Sequence, residues 1–119
     1  MATFTKKKLS GSTDGMAIKV TGTATGSTVT VHTAVAGTTA GVFDEIWLYA
    51  NNTSTSAVKL TLEWGTATAA DGNIELTIAA EAGLVLVVPG LILQNAKVVK
   101  AFAGTADVIL LSGFVNAIA

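Results

Sequence analysis

Short runs of alternating apolar and polar residues recur along the whole chain, and clusters of Gly, Thr, Ser, Asn and Asp separate them. Alternation with period two predicts half-buried β-strands, and such clusters are typical of the turns between strands. The pattern predicts about eight strands, spaced as in an antiparallel β-sandwich or barrel. They are Met16–Thr21, Thr28–Ala34, Asp44–Ala50, Ala57–Trp64, Asn73–Ile78, Leu84–Val88, Ala96–Ala103 and Val108–Val115. We therefore expect an all-β fold, and most simply an antiparallel β-sandwich.

The alanine-rich stretch of residues 66–83 is the best candidate for a helix. However, Asp71-Gly72 is a turn signal, and Ile74, Leu76 and Ile78 alternate with polar residues behind it. We predict a turn followed by a strand in this stretch.

The strand Asp44–Ala50 differs from the others because both of its faces are apolar. Ile46 and Leu48 lie on one face, and Trp47 and Tyr49 lie on the other. The next strand, predicted to be its hairpin partner across a polar loop, turns a polar face to water and would leave the two aromatic residues uncovered. The sequence therefore raises the question of what covers Trp47 and Tyr49.

Two kinds of cover for these aromatic residues stay open. One is the N-terminal segment or a long loop of the same chain, and the other is a second subunit, because Trp and Tyr are favoured interface anchors. The strands Leu84–Val88 and Val108–Val115 are also apolar on both faces. Three such strands in a short chain favour burial by association, so we expect a symmetric homo-oligomer with Trp47 and Tyr49 in its interface.

Composition limits the function further. Half of the 119 residues are hydrophobic, 13% are charged, and no run approaches the ~20 apolar residues of a membrane helix. No apolar segment of a secretory signal follows the N-terminal lysines. The net charge is −1 and arginine is absent, which argues against specific recognition of nucleic acid. Cysteine is absent as well, which excludes disulfides and thiolate metal sites. We expect neither a nucleic-acid nor a membrane partner.

The first 15 residues are polar and lie outside the strand pattern, so we predict an N-terminal arm (residues 1–15) before a single sandwich domain (residues 16–119). Such a segment is either a disordered tail or an arm that becomes ordered against a partner. Phe4 offers one apolar anchor, and Lys6, Lys7 and Lys8 offer three positive charges. We expect a docking arm that is mobile by itself and adds as a strand to an acidic partner.

Candidate catalytic and metal-binding groups are sparse. His32 is the only histidine, and we expect a surface or packing role on the more polar face of its strand, with a change of stability within ~1 kcal/mol on removal. Asp71, Asn73 and Glu75 space three oxygen ligands, but the further acids of a calcium loop are missing, which favours a plain β-turn. No nucleophile elbow or phosphate-binding loop is present. We expect no enzymatic activity, no catalytic residues, no cofactor and no metal.

Three phrases, "DEIWLYANNTSTSAVKLTLEWG", "EAGLVLVVPGLIL" and "VVKAFAGTADVILLSGFVNAIA", resemble a group of small β-rich head structural proteins of tailed bacteriophages. The resemblance spans roughly residue 9 to the C-terminus and includes "LSGSTDGMAIKV". It implies a virion component made in the host cytoplasm, most simply a capsid decoration (cement) protein. It also implies a jelly-roll sandwich, a trimer, and the major capsid protein as a partner.

Two other functions stay open at this point. A member of such a group can also sit at the neck or tail of the particle. A carbohydrate-binding β-sandwich that recognises the host is the second, for which Trp47 and Tyr49 are the one aromatic pair able to form a sugar platform.

Overall fold

The structure, a computed structural model, describes residues 2–119 and confirms the predicted all-β sandwich. Two antiparallel sheets face each other, and one 3-10 turn lies at Thr25–Ser27. The strands are β1 (Phe4–Lys8), β2 (Ile18–Lys19), β3 (Val29–Thr33), β4 (Phe43–Asn52), β5 (Val58–Trp64), β6 (Asn73–Ile78), β7 (Val85–Leu93), β8 (Val98–Ala103) and β9 (Ile109–Ile118). Met1, the first residue of the predicted arm, lies outside the described residues.

Each sheet combines strands that are distant in sequence. The first sheet has the order β1-β9-β4-β7, and β2 extends the row of β1 along the other half of β9. The second sheet has the order β3-β8-β5-β6. The predicted turn at Asp71-Gly72, followed by a strand from Asn73, is confirmed.

The core lies between the sheets and follows from the alternation of the strands. Burial alternates at every residue of β4, with Ile46 and Leu48 fully enclosed. Leu60 and Leu62 of β5 and Val99 of β8 face them from the second sheet. Burying one such side chain contributes ~1.5–3 kcal/mol, so this row of contacts is the main source of stability.

The predicted hairpin between the strands Asp44–Ala50 and Ala57–Trp64 is wrong, because the corresponding β4 and β5 lie in different sheets. The polar loop after β4 crosses from one sheet to the other, and the buried Asn52 organises it. Its side-chain amide donates to the carbonyl oxygens of Ser56 (2.8 Å) and Ile78 (3.0 Å), and its side-chain oxygen accepts from the backbone N–H of Ser54 (3.0 Å). The strands beside Trp47 are therefore β9 and β7.

The N-terminal segment also differs from the prediction, because Phe4–Lys8 pairs residue by residue with β9 as an edge strand. The next residue, Leu9, is 1% exposed and joins the core. An edge strand is held by backbone hydrogen bonds and needs few apolar residues. The low apolar content of Phe4–Lys8 therefore gave no sign of a strand in the sequence. The prediction that this segment lies outside the sandwich is wrong; its docking role stays a prediction.

Strand β7 runs five residues beyond its predicted end at Val88, through Pro89 and Gly90. A proline is tolerated here because β7 is an edge strand. The pairing of β4 with β7 shifts register twice, around Trp47 and Tyr49. These irregularities interrupt the free edge of β7.

We expect Asn52→Ala to lower the free energy of unfolding by about 3 kcal/mol, because it leaves several buried polar groups of the crossing loop without partners. The neighbouring Asn51 is half-buried on the opposite face of the same strand, and Asn51→Ala should change stability by only ~0.5 kcal/mol. Urea unfolding of both variants measures the difference. Equal effects would contradict the role given to Asn52.

Candidate functional site: the outer face of the first sheet

The side of the first sheet that is turned away from the second sheet, called the outer face below, is unusually apolar. Antiparallel sheets commonly turn polar residues to water on this side. Here the register places five rows of side chains across the strands. The members of the outer face are Phe4, Lys6 and Lys8 of β1; Leu110, Ser112, Phe114, Asn116 and Ile118 of β9; Phe43, Glu45, Trp47, Tyr49 and Asn51 of β4; and Leu86, Pro89 and Ile92 of β7.

One row of the outer face is built on aromatic contacts. Trp47 and Phe114 lie opposite each other on β4 and β9, with nearly parallel rings (12°) and ring centroids 6.0 Å apart. The Lys6 ammonium sits 4.2 Å from the centroid of the Phe114 ring, a cation–π contact. On the other side, Gly90 has a positive φ of 80°, and a Cβ there would lie 2.9 Å from the Trp47 ring. The row therefore needs glycine at this position.

Glu45 is the one acid on the outer face, and its neighbours hold it in its charged form. The Trp47 indole N–H donates to Glu45 Oε1 (2.7 Å), and the Asn116 side-chain amide donates to the same oxygen (3.0 Å). The bond from Trp47, and then that from Asn116, hold the pKa of the Glu45 carboxyl below its ordinary value of 4.5. A negative charge is thus held within a largely apolar surface.

Large apolar side chains remain exposed at both edges of this face. Phe4 on β1 is 73% exposed, and Leu86 and Ile92 on β7 are 45% and 54% exposed. Leu84, just before β7, is 66% exposed. Exposed apolar side chains grouped on one face of a sheet are typical of binding surfaces.

The structure places the predicted interface residues on two surfaces. Phe4, Lys6, Lys8, Trp47 and Tyr49 share the outer face. Lys7 points to the opposite side of β1 and lines a groove between β1 and β3. Trp47 and Tyr49 are half-buried, since their own sheet flanks them with β9 and β7. This partial cover comes from neighbouring strands of the same sheet, which is neither the N-terminal segment or long loop nor the second subunit that the sequence left open.

Sequence reasoning missed Glu45, Phe114, Leu86 and Ile92 as members of this surface. Glu45 is a charged residue next to the start of a predicted strand, which does not mark it as part of an apolar face, and Phe114 has no neighbour in sequence that marks its face. The apolar run before Pro89 was the signal for Leu86. Only the sheet order, which puts β9 and β7 beside β4, brings these residues together.

The groove between β1 and β3 has a volume of about 710 Å³ and ends at a buried polar cluster. His32 and Asp44 are 4% and 6% exposed, with His32 Nε2 2.7 Å from Asp44 Oδ2. The backbone N–H of Ser10 donates to His32 Nδ1 (3.0 Å), so the ring proton lies on Nε2 and points to Asp44. The backbone N–H of Val35 donates to the same Asp44 oxygen (3.2 Å).

The expected position of His32 on a polar strand face is wrong. The ring is buried because the chain after β1 returns over β3, and the register of β3 shifts between Thr30 and His32. The cluster joins the segment after β1 to β3 and β4. Its polar groups are hydrogen-bonded to one another, which offsets the cost of removing them from water.

The other candidate ligands lie apart. Asp71 is in the turn before β6, whereas Asn73 and Glu75 are in the strand, and Glu75 forms an exposed ion pair with Lys59 (3.3 Å). Within residues 2–119, no three acidic or histidine side chains lie close enough together to hold a metal ion. In the same range, no helix has the length and apolarity needed to cross a membrane.

Comparisons of the chain with protein-family models, with the curated proteins and with the solved structures each gave no match.

In NMR spectra we expect the chemical shift of the Trp47 indole N–H to titrate with a midpoint below pH 4.5. This N–H donates to the Glu45 carboxyl and therefore reports its protonation. The pKa of Glu45 in the folded protein lies below its ordinary value of 4.5. The hydrogen-bonded carboxylate therefore contributes to stability at pH values above 4.5, and this contribution is lost as the pH falls through the folded pKa. Asn116→Ala should move the midpoint upward. The Trp64 indole, in the second sheet, is the internal control. A Trp47 midpoint at or above 4.5 would contradict the assignment.

Removal of the His32 ring should lower the free energy of unfolding by about 3 kcal/mol, because His32→Ala leaves the buried Asp44 carboxylate without its main partner. This value replaces the small change expected from the sequence. Thr30→Ala, at an exposed position of the same strand, is the matched control. Thermal or urea unfolding at pH 7 measures both variants, and a loss within ~1 kcal/mol for His32→Ala would restore the earlier expectation.

Proposed function

We propose that the chain is a virion structural protein of a tailed bacteriophage that decorates the capsid, bound as a homo-oligomer to the lattice of the major capsid protein. The observation that carries the proposal is the outer face, where apolar side chains from four strands lie on the surface. Such a face favours cover by protein. The virion context comes from the resemblance of the three phrases given above.

The strand order supports a jelly roll, which is part of the same proposal. With β1 and β2 counted as one interrupted first strand, the chain has eight strands. One sheet then has the order first, eighth, third, sixth, and the other has the order second, seventh, fourth, fifth. Two interleaved Greek keys give this arrangement, and jelly rolls are frequent in viral capsid proteins.

The lysine-bearing edge is the proposed contact with the capsid lattice. Strand β1 is paired with β9 along one edge only, and its five side chains are exposed. An extended acidic segment of a capsid subunit can add to the free edge, with Lys7 in the adjoining groove. The attraction of the lysines is sensitive to salt.

A host-recognition module that binds carbohydrate is the second candidate. The observation in its favour is the pair of nearly parallel aromatic rings, Trp47 and Phe114, at the surface of the outer face. Lectin domains also use jelly rolls. A position at the neck or tail of the particle is a variant of the first proposal and uses the same surfaces.

The experiment is mass spectrometry of purified particles from the source of the sequence, followed by capsid binding of the purified protein. We expect the protein in the particles, and we expect Lys7→Glu to weaken binding about tenfold at low salt, which is ~1.4 kcal/mol. Lys97→Glu is the control, because Lys97 is an exposed lysine outside the strands. Absence from the particles would contradict the proposal. Glycan binding that is lost in Trp47→Ala would favour the second candidate.

A further inference from the structure

One row of the outer face carries opposite charges on either side of β9. Lys6 lies opposite Asn116, and Asn116 lies opposite Glu45. Two strand spacings separate the backbones of Lys6 and Glu45, a distance of about 10 Å. Positive charge, amide and negative charge thus form a row that is centred on β9.

Neither charge has an ionic partner among the residues that the structure describes. Within residues 2–119, Lys6 forms no ion pair, and its ammonium rests on the Phe114 ring. Both hydrogen bonds to Glu45 use Oε1, so Oε2 accepts none from the described residues. The Glu45 carboxyl is held charged by its neighbours. Lys6 and Glu45 are therefore two charges of the outer face that an approaching surface has to satisfy.

We propose that the partner on this face is a second copy of the chain, packed outer face on outer face about a two-fold axis that runs along β9. The inference rests on the self-association included in the proposed function. Such an axis exchanges the two sides of β9, so β1 of one copy lies over β4 of the other. Lys6 then meets Glu45 of the partner subunit, and Glu45 meets Lys6 of the partner subunit.

The other rows agree with the same axis. Phe4 and Phe43 both lie opposite Ile118, on either side of β9. The rotation therefore places Phe4, which is 73% exposed, over Phe43 of the partner subunit. Ile118 and Phe114 lie on the axis and pack against their own copies. Lys8 and Trp47 both lie opposite Phe114, so Lys8 comes to lie over the indole ring of Trp47 of the partner subunit, a position that suits a cation–π contact.

Edge-to-edge pairing of two copies is less favourable. Two β1 edges would bring Lys6, Lys7 and Lys8 of both copies together, and like charges on paired strands destabilise. The β7 edge is interrupted by Pro89 and by two shifts of register. Face-to-face packing avoids both obstacles.

The overlap is large enough for a specific but modest contact. Three strands cover a width of about 14 Å and ten residues a length of about 34 Å, roughly 480 Å² for each copy. The total of about 1,000 Å² is near the lower limit for a biological interface, so we expect a dissociation constant in the micromolar range. A two-fold contact gives an even number of subunits, in place of the trimer expected from the resemblance.

The experiment is sedimentation equilibrium up to about 200 µM, a range chosen to bracket that dissociation constant. The unchanged protein should reach the mass of two chains. Lys6→Glu and Glu45→Lys should each raise the dissociation constant tenfold or more, because each places like charges together twice in a dimer; tenfold corresponds to ~1.4 kcal/mol. An equimolar mixture of these two variants should associate again, because both ion pairs are restored between unlike chains. Lys59→Glu, at an exposed position of the second sheet, should associate like the unchanged protein.

The mixture separates a contact between copies from a contact within one chain. If Lys6 and Glu45 pair inside one chain, the double variant K6E/E45K recovers its stability but the mixture does not associate, which overturns the proposal. A monomer at every concentration, or a mass of three chains, also overturns it.

A second measurement protects the test against a variant that fails to fold. Carbodiimide couples the amine of a lysine to a neighbouring carboxylate. We would apply it to a mixture of nitrogen-15-labelled and unlabelled chains of the unchanged protein. We expect peptides that link Lys6 and Glu45 with mixed labels, whereas links with one label only would contradict the proposal. Self-association is measured on the isolated protein, so it stands or falls independently of the search for the protein in particles.

Discussion

The continuous pairing of β4 with β9 determines which side chains meet on both faces of the first sheet. Ten residue pairs, from Phe43 with Ile118 to Asn52 with Ile109, follow without a shift of register. On the inner side Ile46 lies opposite Val115 in the core, and on the outer side Trp47 lies opposite Phe114. Because side chains alternate with period two, a slip by one residue would turn the core residues outward. The core and the outer face are therefore fixed by the same register.

Buried polar groups lie at both ends of the inner face of β4. Asp44 at the start of the strand bonds to His32, and Asn52 at its end holds the loop that crosses to the second sheet. Each polar group is satisfied by the segment that it must hold in place. Burial of an unsatisfied group costs more than the net gain from one hydrogen bond, so these clusters disfavour other paths of the chain.

The two surfaces proposed for binding adjoin each other along β1. The outer face is apolar, with the charges Lys6 and Glu45 arranged on either side of β9. The free edge of β1 and the groove beside Lys7 lie on another side of the same strand. The contact proposed with a second copy uses Lys6, whereas the contact proposed with a lattice uses Lys7, which points to the opposite side of β1.

The sequence by itself determined the all-β class, most strand positions and the two-sided character of β4, because alternation and turn residues are local signals. It also marked Trp47, Tyr49 and the N-terminal lysines as surface candidates. It did not determine that β4 and β5 lie in different sheets, that Phe4–Lys8 is a strand, or that His32 is buried beside Asp44. Those features depend on pairing between residues far apart in the chain, such as Lys6 with Asn116 and Asn116 with Glu45. Only the tertiary structure decides them, since period-two alternation shows which residues share a face but not which strands lie side by side.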